Sequence, residues 1–284
     1  MSLGFDTEGV FGYLTDQAAF IDRVDLSLRG KRRRRPKGMV SVVRRFPIGG
    51  RESLYARAVE GLCPATGNPF QLKYGVRRWP GRVPPVRLIL RSQLTPLSGA
   101  QAELVSSSLM CRGFRSQVSK VELTMDLTGT SVDFFEARLQ TSARRFRTLR
   151  DIEGRKTYYV GGPRSHWQVR IYQKTDTVVR VEFIFRIPFL RRYGVRKPDE
   201  LVLLRRVDLG RLIWLREIDT SKLEVGEKRR PKDDQNRVLR SLAQWLSAKE
   251  FSNALKELGI RRPDIFIPCV LESKLRRLQR RLLW

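Results

Sequence analysis

The stretch that decides the fold is "WQVRIYQKTDTVVRVEFIFR", residues 167–186. Successive strand side chains point to opposite sides, so parity sorts such a run into two faces. Trp167, Val169 and Ile171 fall on one side, with Gln168, Arg170, Tyr172 and Lys174 on the other. Beyond Thr175–Thr177, Val179, Val181, Phe183 and Phe185 oppose Arg180, Glu182 and Arg186. The upstream run 120–127 sorts the same way, with Val121, Leu123, Met125 and Leu127 against Lys120, Glu122, Thr124 and Asp126. As neighbours in one antiparallel sheet, covered by helices on the apolar side, these strands gather Glu122, Asp126, Glu182, Tyr172, Arg170, Lys174 and Arg180 on the open face.

Those residue types suit phosphodiester chemistry. Carboxylates are hard oxygen ligands for Mg²⁺ or Mn²⁺, and a divalent ion polarises a phosphate oxygen. A tyrosine hydroxyl, with an ordinary pKa of ~10, is a poor nucleophile until cations lower that value or a base takes its proton. Arg170 and Lys174, two positions either side of Tyr172, are placed for the first. The same alternation is also what any half-exposed antiparallel strand shows, with its acids and bases paired as ions. The lone histidine, His166, cannot form a paired ligand motif and reads as a turn or strand-edge residue.

Charge narrows the class of partner. The chain has 284 residues, with 57 Lys plus Arg against 29 Asp plus Glu, a net charge of +28. That excess points to a polyanion. Apolar residues make up 41% of the chain, which fills a core and excludes a disordered basic tail. Cys63, Cys111 and Cys269 are widely spaced, as buried thiols of a reducing compartment would be. No apolar run reaches a membrane span, and the opening "MSLGFDTEGV" carries Asp6 and Glu8 where a signal peptide needs positive charge. The expectation is a cytoplasmic protein with no membrane partner.

Four runs between residues 39 and 92 have strand composition and turn signals between them, as a meander would. A helix is expected from about Ala100, capped by Ser98 and ending near Gly113. A second is expected over residues 133–150, where Asp133 and Glu136 have capping-box spacing and Phe135, Leu139 and Phe146 recur at helical intervals. Residues 156–160 read as a further strand. After Phe189 the pattern turns helical over 197–219 and 236–260, around a charged linker. Leu271, Leu275, Leu278 and Leu282 form a terminal stripe among arginines, and "KRRRRPK", 31–37, reads as a phosphate-gripping arm. No internal repeat is visible. The fold class is α+β, an antiparallel β-sheet backed by helices on one face (residues 1–188) followed by a helical C-terminal region (189–284).

"TYYVGGPRS" (157–165), "RIYQK" (170–174) and "RVEF" (180–183), preceded by "KVELTMD" (120–126), resemble the replication initiation factors of rolling-circle plasmids and filamentous phages, and the related relaxases of integrative elements. Those proteins show T-x-Y-I-G-S-R-x-S, then R-I-Y-D-K, then R-x-E, after R-I-D-x-x-x-D. The resemblance covers residues 120–186. It implies a sequence-specific DNA nickase that joins a tyrosine to a 5′ phosphate, using Mg or Mn. It implies Glu122, Asp126 and Glu182 as metal ligands, and Tyr172 as nucleophile with Tyr159 the second choice and Lys174 beside them. Arg170, Arg180, Ser165 and Arg164 would contact DNA. The implied partners are origin DNA, single-stranded or cruciform, a second copy of the chain in a homodimer, and a host helicase. Glu122 stands where the family has aspartate, Gly162-Pro163 replace Ser-Arg, and Gln173 replaces aspartate. The alternative is a non-catalytic DNA-binding protein of a mobile element that kept the sheet and lost the chemistry.

Overall fold

The computed structural model describes residues 19–33, 40–48, 53–77, 81, 83–93, 95–141, 143, 146–150, 154–218, 231–245, 248–258, 266–268, 277 and 281. The terminal leucine stripe and the second half of "KRRRRPK" lie outside them. The first half of that run is fixed: Arg33 donates from its backbone N–H to the Leu109 carbonyl (2.9 Å) and from Nε to that of Met110 (2.6 Å).

Among the described residues, ten strands form one antiparallel sheet. In chain order they are β1 (Phe20–Arg29), β2 (Ser41–Pro47), β3 (Tyr55–Leu62), β4 (Pro69–Val76), β5 (Val86–Arg91), β6 (Arg115–Thr128), β8 (Phe146–Arg150), β9 (Lys156–Val160), β10 (Trp167–Thr175) and β11 (Val178–Arg186); β7 (Leu139–Thr141) lies outside this sheet. Their spatial order is β2-β3-β4-β5-β1-β6-β11-β10-β9-β8. The expected α+β class and the meander over residues 39–92 are thus found.

The order corrects the expectation of no repeat at the level of topology. In each half a long strand is followed by a four-strand meander whose last member returns to pair with the first, β5 with β1 and β11 with β6. The two long strands then pair with each other, antiparallel, at the centre. The halves are related by a pseudo-twofold between β1 and β6.

Helices cover the apolar face. Helix α1 (Gly99–Leu109) begins in a capping box: the Ser98 hydroxyl accepts from the Gln101 N–H (3.2 Å) and Gln101 Oε1 from the Ser98 N–H (3.3 Å). It ends at Leu109, short of Gly113. A Cβ on Gly99 would stand 2.2 Å from the Pro198 carbonyl oxygen, so only glycine permits this approach. The expected parity holds: Val121, Leu123, Met125, Leu127, Val169, Ile171, Val179, Val181, Phe183 and Phe185 are buried in one core with Val105 and Leu109 of α1.

Two helical expectations are overturned. The run from Asp133 is helical only as α2 (Val132–Arg138), capped by Ser131 rather than Asp133. The chain then enters β7 and β8, because pairing with β12 (Ile213–Ile218) and β9 outweighs a helical pattern whose apolar spacing a strand also satisfies. Within the expected helix over 197–219, residues 198–218 form 3₁₀ turns (Pro198–Arg206, Leu209–Arg211) and then β12. With α3 (Ile187–Arg192), this segment places Phe189, Leu190, Leu201 and Leu204 in the main core. The expected run 236–260 holds two helices, α4 (Pro231–Trp245), which begins five residues early inside the expected linker, and α5 (Ala248–Glu257), and β13 (Phe266–Pro268) pairs with β12. Among the described residues no helix is long and apolar enough to cross a membrane.

Candidate functional site

Register decides which open-face side chains meet. Arg170 lies opposite Glu182 and Tyr172 opposite Arg180 across β10 and β11. Arg180 lies opposite Asp126, and Glu182 opposite Thr124, across β11 and β6. Tyr159 on β9 lies opposite Arg170. The sheet therefore brings Glu122, Asp126, Glu182, Tyr159, Tyr172, Arg170, Lys174 and Arg180 to one face. An open cleft of ≈ 470 Å³ lies above its middle, lined by Glu122, Glu182, Tyr159, Tyr172, Arg170 and Arg180, and also by Asp22, Arg23, Arg91 and Lys120.

The cations are already partnered. Asp126 is fully buried; its Oδ1 accepts from Arg180 Nε (2.6 Å) and its Oδ2 from Arg180 Nη2 (2.8 Å) and Lys174 Nζ (2.9 Å). Burial alone would raise its pKa, but Arg180 and Lys174 more than offset that and hold the carboxyl below its ordinary value. Such a group stabilises the fold above its unfolded pKa of ~3.9, and that contribution is lost as pH falls through its depressed folded value. Asp126→Asn is expected to cost about 3–5 kcal/mol, because Arg180, with only 9% of its side chain exposed, loses its carboxylate. Urea titrations at neutral pH and at pH ~3 check both points: the gap between wild type and variant should narrow in acid.

Glu182 occupies the centre. Its Oε2 accepts from Arg170 Nε (2.7 Å), and its Oε1 accepts from the Tyr172 hydroxyl at 2.6 Å. Burial raises the Glu182 pKa, Arg170 and Tyr172 pull it back, and the charge of Glu122 adds to the rise. The Tyr172 hydroxyl is pushed well above its ordinary value, first by burial and then by the Glu182 charge, against the weaker pull of Arg180 and Arg170. This corrects the expectation that Arg170 and Lys174 lower the tyrosine pKa. Lys174 is turned onto Asp126, and Arg170, whose guanidinium carbon is 5.2 Å from the centre of the Tyr172 ring, is committed to Glu182. What the structure gives Tyr172 instead is a proton acceptor.

Tyr159 is half-buried, with Arg147 over its ring at 4.8 Å. Ser165 closes the 162–165 turn: its Oγ accepts from the Gly162 N–H (2.9 Å) and its carbonyl from Arg186 (3.0 Å). Arg164 is exposed on that turn, away from the cleft lining. Gly161 enters the turn at φ +87°, where a side chain is strained. His166 is exposed beside it.

Four cleft residues escaped the sequence reading: Asp22, Arg23, Arg91 and Ile184. The β1 register shifts between Ile21 and Arg23, and this bulge aims Asp22 into the cleft. Ser92 Oγ donates to Asp22 Oδ1 (2.7 Å); burial raises the Asp22 pKa, Arg180 and Ser92 oppose it, and the charges of Glu122 and Asp126 add to the rise. Only the short alternation of Val24, Leu26 and Leu28 in "FIDRVDLSLR" marks the strand, and the bulge leaves Asp22 outside it.

Among the described residues, no three acid, histidine or cysteine side chains gather closely enough to share an ion. Asp126 has both oxygens filled by cationic donors and does not line the cleft, while Glu122 accepts from Lys120. A less crowded arrangement fits a hydrated ion better. Asp22 and Glu122 face the cleft, and Thr124 Oγ1, between Glu122 and Asp126 on one face of β6, is buried without a hydrogen-bond partner. Mg²⁺ keeps several waters and is held through one or two carboxylates plus substrate phosphate, which suits such a donor set.

No protein-family model matches the chain, and no curated protein does. A solved structure, that of a rolling circle replication initiator protein from Geobacillus stearothermophilus, is similar over 86% of this chain and 97% of its own, at 13% identity and a TM-score of 0.43.

Proposed function

We propose that this chain nicks and rejoins DNA through a tyrosine, as an initiator of rolling-circle replication. The observation that carries the reading is the Tyr172 hydroxyl donating at 2.6 Å to Glu182 in a cleft of a +28 chain, within residues that resemble the initiator motifs. Tyr172 Oη attacks the scissile phosphorus as its proton passes to Glu182 Oε1. The P–O3′ bond breaks, the leaving oxygen takes a proton from water as a 3′ hydroxyl, and the 5′ phosphate stays on Tyr172 as a phosphodiester. The raised Glu182 pKa favours the proton transfer, and Arg170, Arg180 and Arg186 at the cleft meet the charge that develops on the phosphate. Attack by a 3′ hydroxyl reverses the step, so resealing needs no nucleotide cofactor. A bound Mg²⁺ or Mn²⁺ would be held by Asp22 and Glu122, with Thr124 beside them, and would neutralise charge on the phosphate oxygens.

Tyr159 is the second choice of nucleophile should Tyr172 not carry the adduct, and Arg164 and Ser165 are contacts for DNA leaving the cleft. The proposal takes residues 1–188 as the nicking part and 189–284 as a C-terminal region whose first part, through Leu190, Leu201 and Leu204, packs into the same core, in a cytoplasmic protein that meets a host helicase and a second copy of itself at the origin. The test is incubation with single-stranded oligonucleotides spanning candidate origins of its own element, with Mn²⁺, followed by a denaturing gel. A heat-stable protein–DNA band is the expected result. DNA binding without such a band on any oligonucleotide would leave a non-catalytic DNA-binding protein.

The ion gives a separate expectation. Asp22→Asn and Glu122→Gln should each raise the Mn²⁺ concentration for half-maximal cleavage by about tenfold or more. Mn²⁺ should raise the melting temperature of wild type and not that of Asp22→Asn. Undiminished cleavage in excess chelator would remove the ion from the account.

A further inference from the structure

The pseudo-twofold sets the half of the sheet that holds Tyr172 against a half that lacks its counterpart. There β1, β5 and β4 stand where β6, β11 and β10 stand in the half with Tyr172. Both halves bury an aspartate of the central strand and pair it with an arginine of the returning strand, Asp126 with Arg180 and Asp25 with Arg87. Asp25 also accepts from Arg23 Nε at 2.7 Å. Beyond this shared pair the chemistry differs. Lys73 stands opposite Arg87 as Tyr172 stands opposite Arg180, Ile89 stands two residues past Arg87 where Glu182 stands two past Arg180, and Arg91 follows on the same face.

Those cations are set against each other. Lys73 lies directly opposite Arg87 across β4 and β5, and Arg23 directly opposite Arg91 across β1 and β5, so this face carries two like-charged cross-strand pairs, with Ile89 between Arg87 and Arg91 and Asp25 the carboxylate between the pairs. Like charges directly opposite destabilise a sheet, and an anion laid across them reverses the sign. Neither Lys73 nor Arg91 has a carboxylate within ion-pair distance among the described residues. Lys73 has its pKa lowered, first by burial and then by Arg87 and Arg23. The row is continuous with the cleft, because Arg23 and Arg91 also line it.

We propose that the open face of this first half, from Arg23 and Arg91 to Lys73 and Arg87, is a second DNA half-site that holds the phosphates flanking the nick and carries no chemistry of its own. It rests on the reading of the chain as a DNA-nicking protein, and adds where the DNA outside the cleft lies. Five strand spacings of ~4.8 Å separate β4 from β10, and through the pairing Lys73 projects onto Gln117 of β6 and Tyr172 onto Asp126, about 30 Å apart along the strand, so Lys73 lies about 38 Å from Tyr172. At 3.4 Å per nucleotide along a duplex strand, that is about eleven nucleotides from the nick.

The distance makes the test specific. Lys73→Gln removes a charge that no carboxylate holds, so the melting temperature should stay equal or rise. On DNA with a duplex flank of about 15 base pairs, the slope of log affinity against log salt should fall by about 0.9, one phosphate contact. On DNA with flanks of about four nucleotides, too short to reach, wild type and Lys73→Gln should show the same slope. An unchanged slope on the long flank would overturn the half-site while leaving the nicking reading intact. Failure of the wild type to bind or cleave any DNA would instead bring down the nicking reading itself, and the half-site with it.

Discussion

Tyr172→Phe is expected to eliminate the covalent protein–DNA product, lowering cleavage by about 10⁴-fold or more, the scale on which enzymes lose rate when a nucleophile is deleted. DNA affinity should change only a few-fold, because the ring remains and Arg170, Arg180 and Arg186 are untouched. The hydroxyl donates at 2.6 Å to a carboxylate that is 1% exposed, so its loss leaves one Glu182 oxygen without that donor and costs about 1–3 kcal/mol of stability. The comparison therefore uses variant shown to be folded, with binding by fluorescence anisotropy and cleavage on a denaturing gel.

Glu182→Gln carries the second large effect. Replacing the proton acceptor should reduce the cleavage rate by about 10²–10⁴-fold, the usual contribution of a general base. The pH profile separates this from a packing defect. Glu182 accepts a proton only when ionised, so the wild-type rate should rise with pH through the Glu182 pKa. Burial places that value above the ordinary ~4.3 of a glutamate. The glutamine variant lacks the group, and its residual rate should lose that acid limb. A variant that kept the limb would assign it to another residue, Asp22 first, since its pKa is raised as well.

Much of this was legible in the sequence, and for a physical reason. β6, β10 and β11 keep a regular register over their site residues up to a single shift at Lys174, so period-two alternation placed Glu122, Asp126, Glu182, Tyr172, Arg170, Lys174 and Arg180 on one face. Alternation gives a face and not a partner. It could not tell that Lys174 reaches across two strands to Asp126, or that Arg170 serves Glu182 rather than the tyrosine. β1 escaped because register shifts at Asp22 and beyond Asp25 break its period, leaving Ile21 and Val24 three residues apart in the core. The same bulge that hid the strand delivers Asp22 to the cleft. The pseudo-twofold escaped because it lies in the return of β5 to β1 and of β11 to β6, contacts that no local pattern records. Residues 139–150 misled because Leu139 and Phe146, seven apart, suit a helix as well as two short strands, and only pairing with β12 and β9 decides between them.

The most direct measurement is peptide mapping of the adduct that the wild-type chain forms with single-stranded origin DNA in Mn²⁺. After nuclease and protease digestion, mass spectrometry should find the nucleotide on the tyrosine of "RIYQK", Tyr172, through its 5′ phosphate. A nucleotide on Tyr159, or a cleaved strand with no tyrosine carrying it, would contradict the account.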